Sequence, residues 1–512
     1  MKKFLAMVLA AAMTIGTASV AFADGSNQVD TMGALKQAVE NAPDNVPTVI
    51  TLTQSISGVK TEDIVTIPAE KNIILDMAGH SITVDSSFSG RPFVNNGSFT
   101  IKGDGTVDVS AAGANGNGTV NNYGTLVVED GYYVNLKESD ASNFYNRNGG
   151  TATFINPTIV GGGGCIATEV NTKTEIRGGT YTNESFPAIE NRGDMLITAG
   201  TFTNTSCSSC DRNKWGYTIR SGKSSANANL VIKEENGSVN VTGVQGGLAV
   251  VGGTASVYGG TYTTEACSVH NTGSSAFYAL YIAGEDYPVV ADIMGGTYTS
   301  ASKVAAVFGN ENTGGDGGSL EHVNVRIYDG SFTSGDAQGY VLSASASLAD
   351  PQIIGGSFFK KPGLTEEQDK ADINVVKVGN TGTTAEIKDY VPEGSEIEVD
   401  ENGNVTVIGP EVPPEKEERD TVGGDYFGNA KWAEVKRAIA AAEEGDTIEM
   451  SAAGLPWFPS SVARALKGKD ITLEIRKNGV TYSINGLKIG TVDKLWYEFD
   501  KIEEELLTAD AE

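Results

Sequence analysis

Histidine is nearly absent and basic residues are few: 3 His and 37 Lys+Arg stand against 65 Asp+Glu, a formal charge of −28 at pH 7. A balance of that sign repels nucleic acid and anionic membrane alike, which argues against both as partners. It could attract Ca²⁺, but scattered surface carboxylates serve solubility first, and no calcium motif accompanies them. Beyond residue 23 no apolar run is long enough to cross a bilayer, so no membrane span is expected after the leader. Cysteine is scarce too, at 4. Cys207-Ser208-Ser209-Cys210 can close a small disulfide loop or stay as free thiols, and Cys165 reads as a small buried residue.

Glycine, at 63 residues, is abundant, and much of it belongs to one recurring phrase. Gly178-Gly179-Thr180-Tyr181-Thr182 returns around Gly200, Gly260, Gly296, Gly330 and Gly356, with a weaker copy at Gly131-Tyr132-Tyr133. Three residues before the last glycine stand Val128, Ile176, Ile197, Val257, Ile293, Ile327 and Ile353. Two residues after it stand Tyr133, Tyr181, Phe202, Tyr262, Tyr298, Phe332 and Phe358. Both residue types favour extended chain, and the glycine between them permits a corner. An Asn two residues before a turn residue (Asn95, Asn122, Asn148, Asn171, Asn191) recurs at intervals of about 20 to 27 residues.

A unit of that length cannot bury an apolar face alone. Stacked copies can, each adding parallel strands to the last. Strands about 4.8 Å apart would then carry one aliphatic and one aromatic ladder. The aromatic ladder reads as inward glue and not as an exposed sugar platform, because Phe alternates with Tyr and has no polar tip. Leucine-rich repeats lack a match to their Leu framework, and propeller blades need longer, antiparallel units. The fold expected is all-β: a right-handed parallel β-helix with an N-terminal helical cap, plus a small C-terminal α+β domain.

On these phrases, residues 31–408 resemble the bacterial secreted and surface β-helix proteins of the pectin-lyase-like class. The resemblance implies a fold more than an activity, since one architecture hosts lyases, hydrolases, tailspikes and non-catalytic adhesins. Leu466 to Leu473 and Tyr482 to Gly486 resemble a small module of secreted Firmicutes proteins, with no activity implied.

In chain order, residues 1–23 read as a signal peptide. Lys2 and Lys3 open it, an apolar stretch follows, and Ala21-Phe22-Ala23 forms the cleavage site, so the protein is expected outside the cell or at its surface. Residues 24–408 form the β-helix. Asp30 or Thr31 caps a helix that places Leu35, Ala38 and Val39 on one face as a lid, and short strands near Val376, Ala385, Ile397 and Val405 finish the far end. Residues 409–425, with Pro410, Pro413 and Pro414, form a charged linker. Residues 426–490 form the α+β domain, with Trp432, Val435 and Ile439 on one helix face and a hairpin at Lys477-Asn478-Gly479. Residues 491–512 end the chain as an amphipathic helix or tail, its helical stretch running from Asp493 to Leu507.

Catalytic sets fail to assemble. Lyases of this fold, as the resemblance implies, neutralise a uronate with Ca²⁺ and deprotonate it with Arg or Lys; no Trp-x-Asp-His or Arg-x-Pro-x-x-Arg occurs. Related hydrolases need paired Asp and a Gly-His-Gly; Asp-Asp is absent, and His80 sits in Gly79-His80-Ser81. His270 and His322 fall in loops. Arg147, Arg177, Arg192, Arg220 and Arg326 read as solvated strand surface, with Arg177 and Arg326 pointed outward by alternation. Cys207 and Cys210 with Cys267 and His270 would make a zinc set, but they lie two to three coils apart, about 10 to 14 Å, too far for ligands about 2.0 to 2.3 Å from one metal. No catalytic, cofactor or metal residues are therefore assigned. The expectation is an exported, non-catalytic scaffold for adhesion or for binding glycan or cell wall, with any groove on the flank that carries the inserted loops. The alternative is a diverged polysaccharide lyase or glycoside hydrolase.

Overall fold

The computed structural model describes residues 27–113, 118–137, 141–184, 186–205, 216–244, 246–265, 278–285, 287–301, 303–309, 321, 323–336, 339–345, 348–361, 376–378, 383–385, 387–409, 432, 435–436, 438–439, 442–452, 458–477, 480–490, 492, 496–497 and 499–507. The leader, the linker from 410 on, Cys207, Cys210, Cys267, His270, His322 and Asn478-Gly479 lie outside the described residues. The chain separates into two compact units, Met1–Glu411 and Val412–Glu512.

The first unit is a right-handed parallel β-helix of three long sheets with 13, 14 and 13 strands. A representative coil runs from Thr125–Val128 in the first sheet, through a glycine corner, to Tyr132–Asn135 in the second. It continues through a connection of variable length to Phe144–Asn146 in the third, and an Asn turn leads back to Thr151–Phe154 one rung up. Each strand pairs with the equivalent strand of the next coil, so one position repeats as a vertical file.

The aliphatic file exists as expected: Ile176, Ile197, Ile232, Val257, Ile293, Ile327 and Ile353 stack in register, and Phe154 takes the place below Ile176. The aromatic file is buried, and Ile159 and Val241 fill the coils that lack the glycine phrase. Its rings stack in parallel: Tyr181 on Phe202 at 4.9 Å, Tyr262 on Tyr298 at 4.9 Å, and Tyr298 on Phe332 at 4.7 Å between centroids. Tyr and Phe interchange here because the ring points inward and the hydroxyl has a local acceptor. Tyr181 donates to the Gly178 carbonyl (2.8 Å), and Tyr262 and Tyr298 donate to Gly259 and Gly295 (both 3.0 Å).

The corner glycine is required twice over. Gly296 has φ +110°, and a Cβ there would lie 3.0 Å from the Tyr298 hydroxyl; Gly149 has φ +87° with nothing nearby. Gly296→Ala is therefore expected to destabilise by about 2 kcal/mol or more, and Gly149→Ala by about 1 kcal/mol. Paired thermal denaturation curves check this; equal shifts would show that the ring does not matter.

The Asn ladder is real, but two of its members differ from expectation. Asn95 Nδ2 donates to Asn122 Oδ1 (2.7 Å) and Asn122 Nδ2 to Asn146 Oδ1 (2.8 Å). Further up, Thr168 Oγ1 donates to Asn191 Oδ1 (3.0 Å). Asn148 and Asn171, the residues expected from spacing, are exposed in the turns instead. The turns after Asn146 and Thr168 are longer, which moves the visible Asn past the ladder position.

Both ends of the unit are closed. Thr31 caps helix Met32–Asn41 by accepting from the Ala34 amide (3.1 Å), and Met32, Leu35, Ala38 and Val39 join the core of the first coil. At the far end, Thr383–Ala385 and the hairpin Glu396–Val399/Val405–Ile408 add antiparallel to the last parallel strands. Ile387, expected in a strand, opens the 3-10 turn Ile387–Tyr390 and is buried.

In the second unit, Thr447–Ser451 pairs parallel with Thr472–Lys477, which pairs antiparallel with Val480–Asn485. Helix Ser460–Leu466 packs Val462 and Leu466 into the core, with Trp432, Val435 and Ile439. The single amphipathic helix expected over 493–507 is not what forms. Strand Trp496–Tyr497 pairs with Phe458–Pro459, a 3-10 turn covers Phe499–Lys501, and among the described residues of this stretch helix is confined to Ile502–Glu505. The apolar residues still bury within their own unit: Tyr497, Phe499, Ile502 and Leu506. No helix among the described residues is long and apolar enough to cross a membrane.

Candidate functional site

The longest connections in the chain join the second sheet to the third and the third back to the first, so their ends attach at the two edges of the third sheet. On that face, the residue after each inward aliphatic (Ile189, Ile219, Leu248, Leu280) points outward. These outward residues are Glu190, Arg220, Ala249 and Tyr281, stacked in register. Tyr145 belongs to the same file, five coils or about 24 Å below Tyr281.

The lower part of the strip is ionic. The Arg147 guanidinium lies 3.7 Å from the Tyr145 ring centroid, donates to Glu169 Oε1 at 2.7 Å and reaches Asn121 Oδ1 at 3.3 Å. Burial pushes the Glu169 carboxyl up, but the Asn148 amide and Arg147 more than offset it, and the group sits below its ordinary range. Burial, then Glu169, push the Tyr145 phenol up. Arg91, only 2% exposed, runs beside these strands and donates to the carbonyls of Val120 (3.2 Å) and Asn143 (2.6 Å), tying three coils together. Burial, then Arg147, push its guanidinium down to about 9. One rung above, Glu190 accepts from Arg192 Nε (3.0 Å) and Arg220 Nη2 (2.9 Å). Burial raises its carboxyl, yet the two arginines hold it below its usual range.

The upper part is aromatic. Tyr217 stacks on Tyr281 at 5.2 Å, and Tyr278 lies parallel to Tyr281 at 6.2 Å. Ala249, Val251, Ala283, Val304 and Val307 complete a small apolar cluster separate from the main core, with Tyr278 and Tyr340 half-buried at its rim. Tyr217 and Tyr281 are themselves buried, at 7% and 5% exposure, so only the half-buried Tyr278 and Tyr340 present ring surface in line with the ion pairs of the lower strip.

Of the arginines expected on solvated strand surface, only Arg177 is well exposed, and it pairs with Glu175 at 2.8 Å. Arg147 and Arg192 are half-buried. Arg220 and Arg326 are buried, at 3% and 6% exposure; Arg326 is held by both Asp292 oxygens at 2.8 and 2.9 Å. Alternation was right that Arg326 faces away from the main core, but the outer surface there is itself covered, as fully buried Val231 and nearly buried Ser256 show. Cys165 is buried and free, and burial raises its thiol far above the ordinary value. Among the described residues, no three His, Cys, Asp or Glu group as metal ligands.

The tyrosine cluster and Arg91 escaped sequence reading. Tyr217 and Tyr281 belong to no repeated phrase, and irregular connections hide the rungs; counting one residue on from each inward Ile or Leu of the third sheet would have found Tyr281. No family model, curated protein or solved structure matches this chain.

Proposed function

We propose that this is an exported, non-catalytic bacterial surface protein of the pectin-lyase-like β-helix class, which binds a glycan chain along the outer face of the third sheet. The observation that carries the reading is the file from Tyr145 to Tyr281, with the half-buried Tyr278 and Tyr340 at the rim above and the pairs Arg147–Glu169 and Arg192–Glu190 below. The half-buried pairs Arg147–Glu169 and Arg192–Glu190 are held in place before binding, so sugar hydroxyls meet them at little entropic cost. The second unit is well placed by its separateness to hold the protein to the cell wall.

Retention on immobilised neutral and acidic glycans tests the reading. Saturable binding without product is expected, and Tyr278→Ala with Tyr340→Ala is expected to weaken it about tenfold while far-ultraviolet circular dichroism at the assay temperature stays native. Binding that these changes leave intact would remove the site. Accumulation of reducing or unsaturated ends would make the protein a lyase or hydrolase instead.

A further inference from the structure

The second sheet has an outer face unlike its neighbours'. Thr180 and Thr182, Thr261 and Thr263, and Thr297 and Thr299 flank the buried rings of Tyr181, Tyr262 and Tyr298 and point to solvent. Across the seven strands from Thr158–Gly161 to Ser331–Thr333, every outward position is threonine except Val160, Asn240 and Ser331. None is charged, in a chain of net charge −28. The first sheet, built from the same coils, carries Lys173, Glu175 and Asp194 at equivalent outward positions. Threonine's β-propensity alone would act on both sheets.

The register of these strands has no slip, so the methyls and hydroxyls form two straight files. Along each file the repeat is about 4.8 Å, between the files about 6.7 Å, and the array runs for about 29 Å. Water molecules hydrogen-bond at about 2.75 Å; tetrahedral coordination then sets second neighbours about 4.5 Å apart and a layer repeat of about 7.3 Å. The two protein spacings match these to within about a tenth.

We propose that this face binds ice. Hydroxyls at near-lattice spacing anchor a first layer of ordered water, and the methyls between them release less ordered water on contact. The partner is uncharged, as the face is; a polyanion or polycation would instead need complementary charges, which the face lacks. Stacking on a sugar surface would call for exposed rings, and the rings here are buried. This activity is independent of glycan binding, which uses another sheet.

The full chain is assayed for thermal hysteresis and for partition into a slowly growing ice front. Hysteresis and partition are expected, and Thr261→Lys with Thr297→Lys, both exposed and without effect on circular dichroism, is expected to abolish them. Lys173→Thr on the first sheet is the matched control and is expected to leave them unchanged. Exclusion from ice by the unaltered chain, or ice partition that survives the lysine pair, overturns the proposal. So does adsorption to crystalline cellulose, or self-association, that the lysine pair abolishes while the unaltered chain shows no hysteresis.

Discussion

Raising the pH above about 10 is expected to unfold the β-helix steeply. Tyr133, Tyr181, Tyr262 and Tyr298 lie wholly inside the aromatic file, and burial holds each phenol well above its ordinary value near 10. Between the unfolded and folded values the native state keeps protons that the unfolded chain releases, so stability is whole below pH 10 and falls as pH rises. Each tyrosine can contribute a slope of about 1.4 kcal/mol per pH unit, hence about 5 kcal/mol per unit for the file. A domain stable by 5 to 15 kcal/mol would not survive a few units of that. The part of the tyrosinate absorbance that belongs to the buried file should appear only with the loss of far-ultraviolet circular dichroism, in one sharp step separate from the exposed tyrosines. Complete tyrosine ionisation with the dichroism intact would show that the rings of the file are solvent-exposed.

Asp292→Ala is expected to cost about 3 to 5 kcal/mol, among the largest effects of any single substitution outside the core. It removes both oxygens that chelate Arg326 and leaves a guanidinium at 6% exposure without its carboxylate. Replacing both residues by leucine is expected to be neutral or stabilising by about 1 to 4 kcal/mol, because the desolvation of both charges is then avoided. Chemical denaturation midpoints distinguish the two variants. A loss below about 1 kcal/mol for Asp292→Ala would mean that water screens the pair.

What the sequence disclosed follows from what repeats. In a stacked coil like side chains touch like, so the glycine corner, the inward aromatic and the β-branched aliphatic recur in the text as they do in space. Positions held by interchangeable residues were harder to read. Ile159 and Val241 fill the aromatic file without the phrase, and Thr168 takes an Asn's place in register and donates up to Asn191, while Asn146 below it donates to Thr174 instead. Variable turns displaced Asn148 and Asn171 by a residue or more. Alternation placed Arg326 on the outer side correctly, but a period of two says nothing about what lies over that side. The last segment failed for another reason: Leu495, Trp496, Phe499, Ile502 and Leu506 satisfy a helical stripe in sequence, yet pairing of Trp496–Tyr497 with Phe458–Pro459 wins. The strip on the third sheet was legible only as a flank, since Tyr217 and Tyr281 stack across two rungs of unequal length.

The closed ends of the β-helix give it a fixed length. Helix Met32–Asn41 stops growth at one side and the reversed strands Thr383–Ala385 and Val405–Ile408 at the other, so the number of rungs between them is set by the gene and not by assembly. Because each strand pairs only with those of the adjacent coils, removing a whole coil, such as residues 147–168, would shorten the β-helix by about 4.8 Å and leave both closures in place. The unit is in that sense a molecular gauge, whose reach can be altered in whole steps without redesigning either terminus.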